Sequence, residues 1–310
     1  MKGFVTIATG DEKYFILAAN LLKSYRYFTK ERYPFAIITD KENEYTELFD
    51  KVVLLKNAEK NYMDKIKLLD SCPFEENIFI DADCLAYKDL NEYWNYFKKA
   101  DDFSCFGKVL PLDSENGIFR KEDVAEYSDK IKFVTHLHGV IYFIRRSKKC
   151  KQLLETCLDI IDNYSKYYFK GFEDPSDESV FALAMAVHNL RPIERQAKLY
   201  IFLPVANYFK ANIQSGYLSY STTWDERVEN GMLVHWANVN TKRMSYKVET
   251  YKLQKIINNE ELNAFEINSL KLIWKFKDMC SDFEKKITTF QSALKSKIYY
   301  MLNRKLLGRK

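Results

Sequence analysis

The chain reads as an α/β protein with a mainly parallel sheet flanked by helices and a helical extension at its C-terminus. Short β-branched and aromatic runs alternate with segments of helical periodicity, the pattern of parallel strands joined by crossover helices. Polar or acidic residues (Ala8 to Asp11, Asp40, Asp81 to Asp83) stand directly after three of those runs, where the carboxyl edge of a parallel sheet would gather them. Past about residue 245 only helical spacing remains. These observations divide the chain into an α/β body, residues 1–245, and a helical extension, residues 246–310.

Taken in order, residues 3–8 predict a first strand rather than a signal peptide, because Asp11 follows too soon and no cleavage-like site is present. Residues 12–28 predict a helix, with Phe15, Leu17, Leu21, Leu22 and Tyr25 at helical spacing. Residues 35–40, 52–55 and 78–80 are short buried strands, with Met63 to Leu69 helical before the last. Leu90 to Lys98 predicts a helix, Phe103 to Phe106 and Val140 to Ile144 strands, and Lys148 to Tyr164 a long amphipathic helix. The turn-rich segment Lys108 to Asp123 reads as a loop long enough to cover a site. Ser176 to His188 is helical, Leu199 to Phe202 and Met232 to His235 are strands, and Tyr246 to Ile257 and Glu266 to Cys280 are helices.

With 310 residues, 47% hydrophobic and 29% charged, the composition is that of a globular chain and argues against disorder. The longest apolar run, Val180 to Val187, falls far short of the roughly 20 residues a membrane-spanning helix needs. Six cysteines without Cys-x-x-Cys spacing fit reduced thiols in a cytoplasmic protein. The net charge is +5, yet eight lysines and arginines follow Glu284 with no acid among them, which leaves residues 1–284 at −3. The body is therefore not expected to bind nucleic acid.

Asp81-Ala82-Asp83 closes the apolar run Asn77 to Ile80. Side chains two apart on extended backbone point the same way, so both carboxylates can face one point. Two such charges resist joint ionisation unless a cation lies between them. Hard divalent ions such as Mg²⁺ or Mn²⁺ favour these oxygens and keep positions open for phosphates, so a nucleotide diphosphate is the natural further ligand. Among nine glycines there is no Gly-x-Gly-x-x-Gly after the first strand and no phosphate loop ending in Gly-Lys-Ser/Thr, which argues against dinucleotide and P-loop chemistry.

Over residues 3–245 the chain resembles metal-dependent glycosyltransferases of the GT-A fold, in particular glycosyltransferase family 8 and its bacterial lipooligosaccharide enzymes. The resemblance is carried by Ala8-Thr9-Gly10-Asp11-Glu12-Lys13-Tyr14, Lys65, Ile78 to Asp83, Gly139-Val140-Ile141-Tyr142, Asp177-Glu178 and Val234-His235-Trp236 in that order. It implies a UDP-sugar donor, with Asp83 the principal metal ligand, Asp81 shared between metal and ribose, and His235 the third ligand. An imidazole beside carboxylates suits Mn²⁺, with Mg²⁺ as the other choice. It further implies base contacts from Ala8 and Thr9, uracil stacking on Tyr14, a donor contact from Lys65, and Asp177 and Glu178 at the reactive carbon of the sugar, with retained configuration. Asp40 could reach the nucleotide or simply cap a turn, and Asp177 and Glu178 also suit the start of a helix capped by Ser176. The chain departs from the family pattern at Leu137-His138-Gly139, at Asn238 and at Thr241-Lys242-Arg243, where Lys242 stands one position away from the usual diphosphate lysine.

In the tail, Ile287, Phe290, Leu294, Ile298, Met301 and Leu302 recur at helical spacing among lysines and arginines. Such a segment can lie on an anionic membrane surface or pack on a partner. The expectation is a cytoplasmic enzyme, peripheral on the inner face of the cytoplasmic membrane, that transfers a hexose to a saccharide or lipid-linked glycan acceptor. A sugar-nucleotide or glycan-binding protein without turnover remains open on the same residues; a sugar-nucleotide pyrophosphorylase lacks its Gly-rich loop here.

Overall fold

The computed structural model describes residues 1–280 and Phe283. The chain divides into two units, Met1–Ala237 and Asn238–Lys310. Strands of the first unit are β1 (Lys2–Ala8), β2 (Phe35–Thr39), β3 (Lys51–Leu54), β4 (Glu76–Ile80), β5 (Cys84–Ala86), β6 (Phe103–Leu110), β7 (Val134–Arg145), β8 (Ile193–Glu194), β9 (Ile201–Phe202), β10 (Ala206–Asn212), β11 (Tyr217–Thr222), β12 (Val228–Glu229) and β13 (Leu233–His235). Its helices are α1 (Glu12–Phe28), the single turns α2 (Leu68–Ser71) and α3 (Tyr93–Tyr96), α4 (Lys148–Asp162) and α5 (Asp177–Val187).

The central sheet has the order β3-β2-β1-β4-β7-β6-β8. β1, β2, β3 and β4 are mutually parallel where they pair, and β7 runs antiparallel to both β4 and β6. The sequence predicts the strand at 140–144 but not its direction or its length. β7 begins at Val134, and β6 continues to Leu110, because the two pair along nearly their whole lengths. Two smaller sheets follow, β10-β11-β12 and β5-β13-β9. The first of these has no counterpart in the sequence pattern: β10 is largely half-exposed, and β11, though mostly buried, mixes serine, threonine and tyrosine with a single leucine instead of an apolar run.

β2 is buried at every position, as a strand covered on both faces must be. On one face α1, capped by Asp11 accepting from the Lys13 N–H, packs Tyr25 against Phe4 and Phe35 with ring centroids 5.0 and 5.3 Å apart. On the other, α4 and α5 cover the sheet. α5 is buried from Ser179 to Ala186, so it is a core helix rather than an amphipathic one. Phe181 sits 4.7 Å from Phe103 and 5.0 Å from Tyr142. The segment predicted to cover a site supplies Phe119 to this core, with Leu112 and Ile118 packed against it, and Ile118 and Asp123 accept backbone hydrogen bonds from Lys170 and Tyr168.

The second unit contains α6 (Met244–Ile257) and a helix at 264–280. Tyr251 donates to Glu266 at 2.7 Å and the Met244 N–H to Asp278 at 3.0 Å, a pairing that makes the two helices antiparallel. The basic tail expected to lie on membranes is outside the described residues. No helix among those described is long and apolar enough to cross a membrane.

Candidate active site

The carboxyl ends of β1, β2 and β4 bring Ala8, Asp40 and Asp81 to one edge of the sheet. Asp81 continues the β4 ladder, its N–H donating to the Val140 carbonyl, and the chain then turns, with the Cys84 N–H bonded back to Asp81. β5 starts at once and pairs antiparallel with β13, in a register that sets His235 opposite Cys84. The Trp236 N–H donates to the Asp83 carbonyl at 3.0 Å, which locks the two segments together. That register closes the distance between an acidic pair and an imidazole far downstream. His235 Nε2 lies 3.0 Å from Asp83 and 3.7 Å from Asp81, and ligand atoms of all three fall within 4.8 Å of one another.

Lys65 reaches the same point from the turn Tyr62–Lys67. Its ammonium donates to Asp81 at 3.0 Å and to the Gly139 carbonyl at 2.9 Å, and lies 3.2 Å from Asp177. Burial disfavours its charge, but Asp177 and Asp81 outweigh that and raise its pKa. The ammonium thus bridges the carboxylates of Asp81 and Asp177. Asp177 also accepts from the Tyr142 hydroxyl at 2.8 Å. Glu178 accepts from the Gly139 N–H at 2.7 Å and stays the most open of these acids, with 30% of its side chain exposed against 7% for Asp177. Burial raises its pKa, partly offset by that hydrogen bond. Both acids enter the site because Ser176 and Ser179 form a reciprocal cap that starts α5 there.

Gly139 is the hub of the constellation. A Cβ on it would stand 2.4 Å from an Asp177 oxygen and 2.8 Å from the Tyr142 hydroxyl, so only glycine admits this approach.

Charge balance tests the site for a cation. Asp81, Asp83, Asp177 and Glu178 converge around one lysine and one histidine, an excess of negative charge in a buried place. Burial first, then Asp83 and Asp177, push Asp81 up to about 7 despite Lys65 and His235. Burial opposes the charge of Asp83 too, but His235 and Lys65 hold its pKa below the usual value. Two carboxylates and one imidazole suit Mn²⁺ or Mg²⁺, and the residues present fit such an ion.

Elsewhere on the edge, Asp40 accepts from the Gly10 N–H at 3.1 Å and lies 3.6 Å from Lys60, so it fixes the turn after β1, where Gly10 has φ +79°. Thr9 donates its hydroxyl to Asp64 at 3.0 Å. Ala8 is buried, and Tyr14 is 40% exposed with the Lys13 ammonium over its ring at 4.7 Å. Lys242 ends a short turn, Asn238–Lys242, in the second unit.

Three contributors escaped sequence reasoning. Asp64, not singled out in the sequence, is buried and also accepts from the Glu59 and Lys60 N–H groups and from Lys67. Burial opposes its charge, but those bonds hold its pKa below normal. Tyr142 reads as core until Asp177 is placed beside it. His138, noticed only as a departure from the family pattern, lies 3.9 Å from Glu178 and stacks on Phe202, which in turn meets His235 at 5.3 Å. Burial, then His136 and Arg195, push His138 down to about 4, so it is neutral at pH 7.

The architecture and the acidic edge together define the GT-A class of fold, a mixed sheet flanked by helices with a candidate Asp-Asp-His metal site. Among solved structures the chain superposes on the galactosyltransferase LgtC, described in complex with donor and acceptor sugar analogues, with a TM-score of 0.52 and 10% identity over 87% of this chain and 100% of that one. At that identity the likeness is one of fold. No protein-family description matches the sequence, and no curated protein matches it.

Proposed function

We propose that the chain is a metal-dependent glycosyltransferase that moves a hexose from a UDP-sugar to a glycan or lipid-linked acceptor, with retention of configuration. The observation that carries this is the convergence of Asp81, Asp83 and His235 at the sheet's carboxyl edge on a GT-A fold. A divalent ion held by these three residues would offer positive charge to the departing diphosphate. Lys65 ties Asp81 and Asp177 in place, so the ligands are preorganised rather than assembled on binding. Glu178, the open carboxylate, would face the sugar ring and stabilise charge developing there, with neutral His138 beside it as a hydrogen-bonding group. Tyr14 offers an exposed ring for the base and the backbone of Ala8 and Thr9 its polar edge. The basic sequence of residues 285–310 would hold the enzyme on the inner face of the cytoplasmic membrane, near a lipid-linked acceptor.

A thermal-shift screen of UDP-sugars with and without Mn²⁺ tests the reading. A ligand at a hundred times its Kd adds about 2.7 kcal/mol, a shift of several degrees. The expected result is stabilisation by UDP that needs Mn²⁺ and disappears in Asp83→Ala, accompanied by slow UDP-sugar hydrolysis. Equal stabilisation in the variant would overturn the metal assignment, and tight binding without turnover in any acceptor mixture would leave a binding protein.

A further inference from the structure

A pocket of about 760 Å³, within the range of small-molecule sites, is walled by the 164–176 segment and by Tyr62. Two of its lining residues, Ser176 and Tyr62, belong to the segments that carry Asp177 and Lys65 into the constellation described above. Ser176 is bonded to Asp177, so their Cα atoms are about 3.8 Å apart. Tyr62 opens the turn that carries Lys65, three residues or about 6 Å along its axis. Neither wall enters the metal or donor chemistry.

The chemistry of the pocket is specific. Tyr62 and Tyr168 are 52% and 62% exposed, large rings turned to solvent where an isolated protein ordinarily hides them. The walls behind them are fixed. Tyr164 stacks on Phe169 at 4.8 Å and shares a 2.8 Å hydrogen bond with Ser179, and Tyr167 donates to Glu126 at 3.0 Å. Rigid aromatic walls of this kind bind with little loss of side-chain freedom. Glu173 and Asp174 supply the charge, and no lysine or arginine lines the pocket among the described residues. Such a lining repels phosphates and carboxylates, which excludes the diphosphate of a nucleotide sugar. What it accepts is a ring with one apolar C–H face to lie on an aromatic plane and hydroxyl or ammonium donors at its rim to reach carboxylates.

We propose that this pocket is the acceptor subsite, and that it holds a neutral or amino-substituted pyranose rather than an acidic sugar. The inference rests on the glycosyl-transfer reading above and adds to it the place and the charge class of the acceptor. The test uses the full-length protein and saturation-transfer NMR with cellobiose, chitobiose, a glucosamine disaccharide and a glucuronate-containing disaccharide. Tyr168→Ala, the Tyr62→Ala/Tyr168→Ala pair and Asp174→Asn are compared with the wild type, and Mn²⁺-UDP thermal shifts are run on each. Neutral or amino disaccharides should bind the wild type and the acidic one should bind about tenfold more weakly; loss of Tyr168 should weaken sugar binding by about tenfold while the Mn²⁺-UDP shift stays the same. Sugar binding that ignores the tyrosines, preference for the acidic disaccharide, or no binding of any probe by a wild type that still binds Mn²⁺-UDP would each overturn the subsite. If the disaccharides bind through these tyrosines but Mn²⁺-UDP does not bind at all, the pocket stands as a sugar-binding site, while the donor reading and with it the acceptor role fall.

Discussion

Two of the proposed metal ligands carry protons when no metal is bound, and that gives the site a pH dependence with a definite sign. Burial disfavours charge on His235, yet Asp83 at 3.0 Å and then Asp81 raise its pKa above the ordinary 6.5. Asp81 titrates at about 7. Metal must displace both protons below these values and neither above them. Mn²⁺ affinity measured by calorimetry should therefore fall as the pH drops below about 7, by about one to two powers of ten per unit, and level off on the alkaline side. Proton uptake by the buffer should accompany binding, and His235→Ala should show both a weaker affinity and a shallower slope. A pH-independent affinity would show that these residues are not the ligands. At Gly139 the decisive effect is steric. An added Cβ must displace Asp177 or Tyr142 and with them the Lys65 ammonium. Gly139→Ala should cost about 1–3 kcal/mol of stability and lower turnover far more than that loss explains, read as kcat against melting temperature. Turnover close to the wild type would mean that Asp177 does not need its observed position.

At the scale of the element, the site depends on two junctions that differ in how far the sequence reveals them. Asp81 and Asp83 are legible because a single strand end presents both, and the period of extended backbone is enough to pair them. His235 is not legible from spacing. Its place follows from the antiparallel register of β13 on β5, which no local pattern encodes, and only the family resemblance pointed to it. The alternation of strands and helices likewise implies the parallel half of the sheet, while the reversal of β7 and the polar-rich β10-β11-β12 sheet carry no signal in a one-dimensional pattern. The second junction is α5, whose buried body supports the acids at its first turn. Phe181→Ala, at the contact with Phe103 and Tyr142, should destabilise the first unit by about 3–5 kcal/mol. Because Tyr142 also bonds Asp177, the variant should raise the concentration of UDP-sugar needed for half-maximal hydrolysis at temperatures where it is still folded. Denaturant melts and steady-state kinetics on one sample separate the two effects, and a destabilised variant with wild-type kinetics would show that α5 supports the fold alone.

On the scale of the whole molecule, charge is segregated along the chain: residues 1–284 carry −3, while the last 26 residues carry eight cations. A basic segment near an anionic leaflet gains about 1 kcal/mol per lysine or arginine, and the gain falls off within a Debye length. On the membrane reading proposed above, a body of net charge −3 leaves attachment to the tail. The apolar residues Ile287, Phe290, Leu294, Ile298, Met301 and Leu302 would add insertion to attraction. Removing residues 285–310 should abolish sedimentation with phosphatidylserine vesicles while leaving the Mn²⁺-UDP thermal shift intact. Raising the salt should weaken attachment of the full chain without eliminating it, since the apolar contribution is not screened, and neutral phosphatidylcholine vesicles should retain only a similar, salt-insensitive fraction. If the truncated chain still sediments, attachment belongs to the body and the tail has another role.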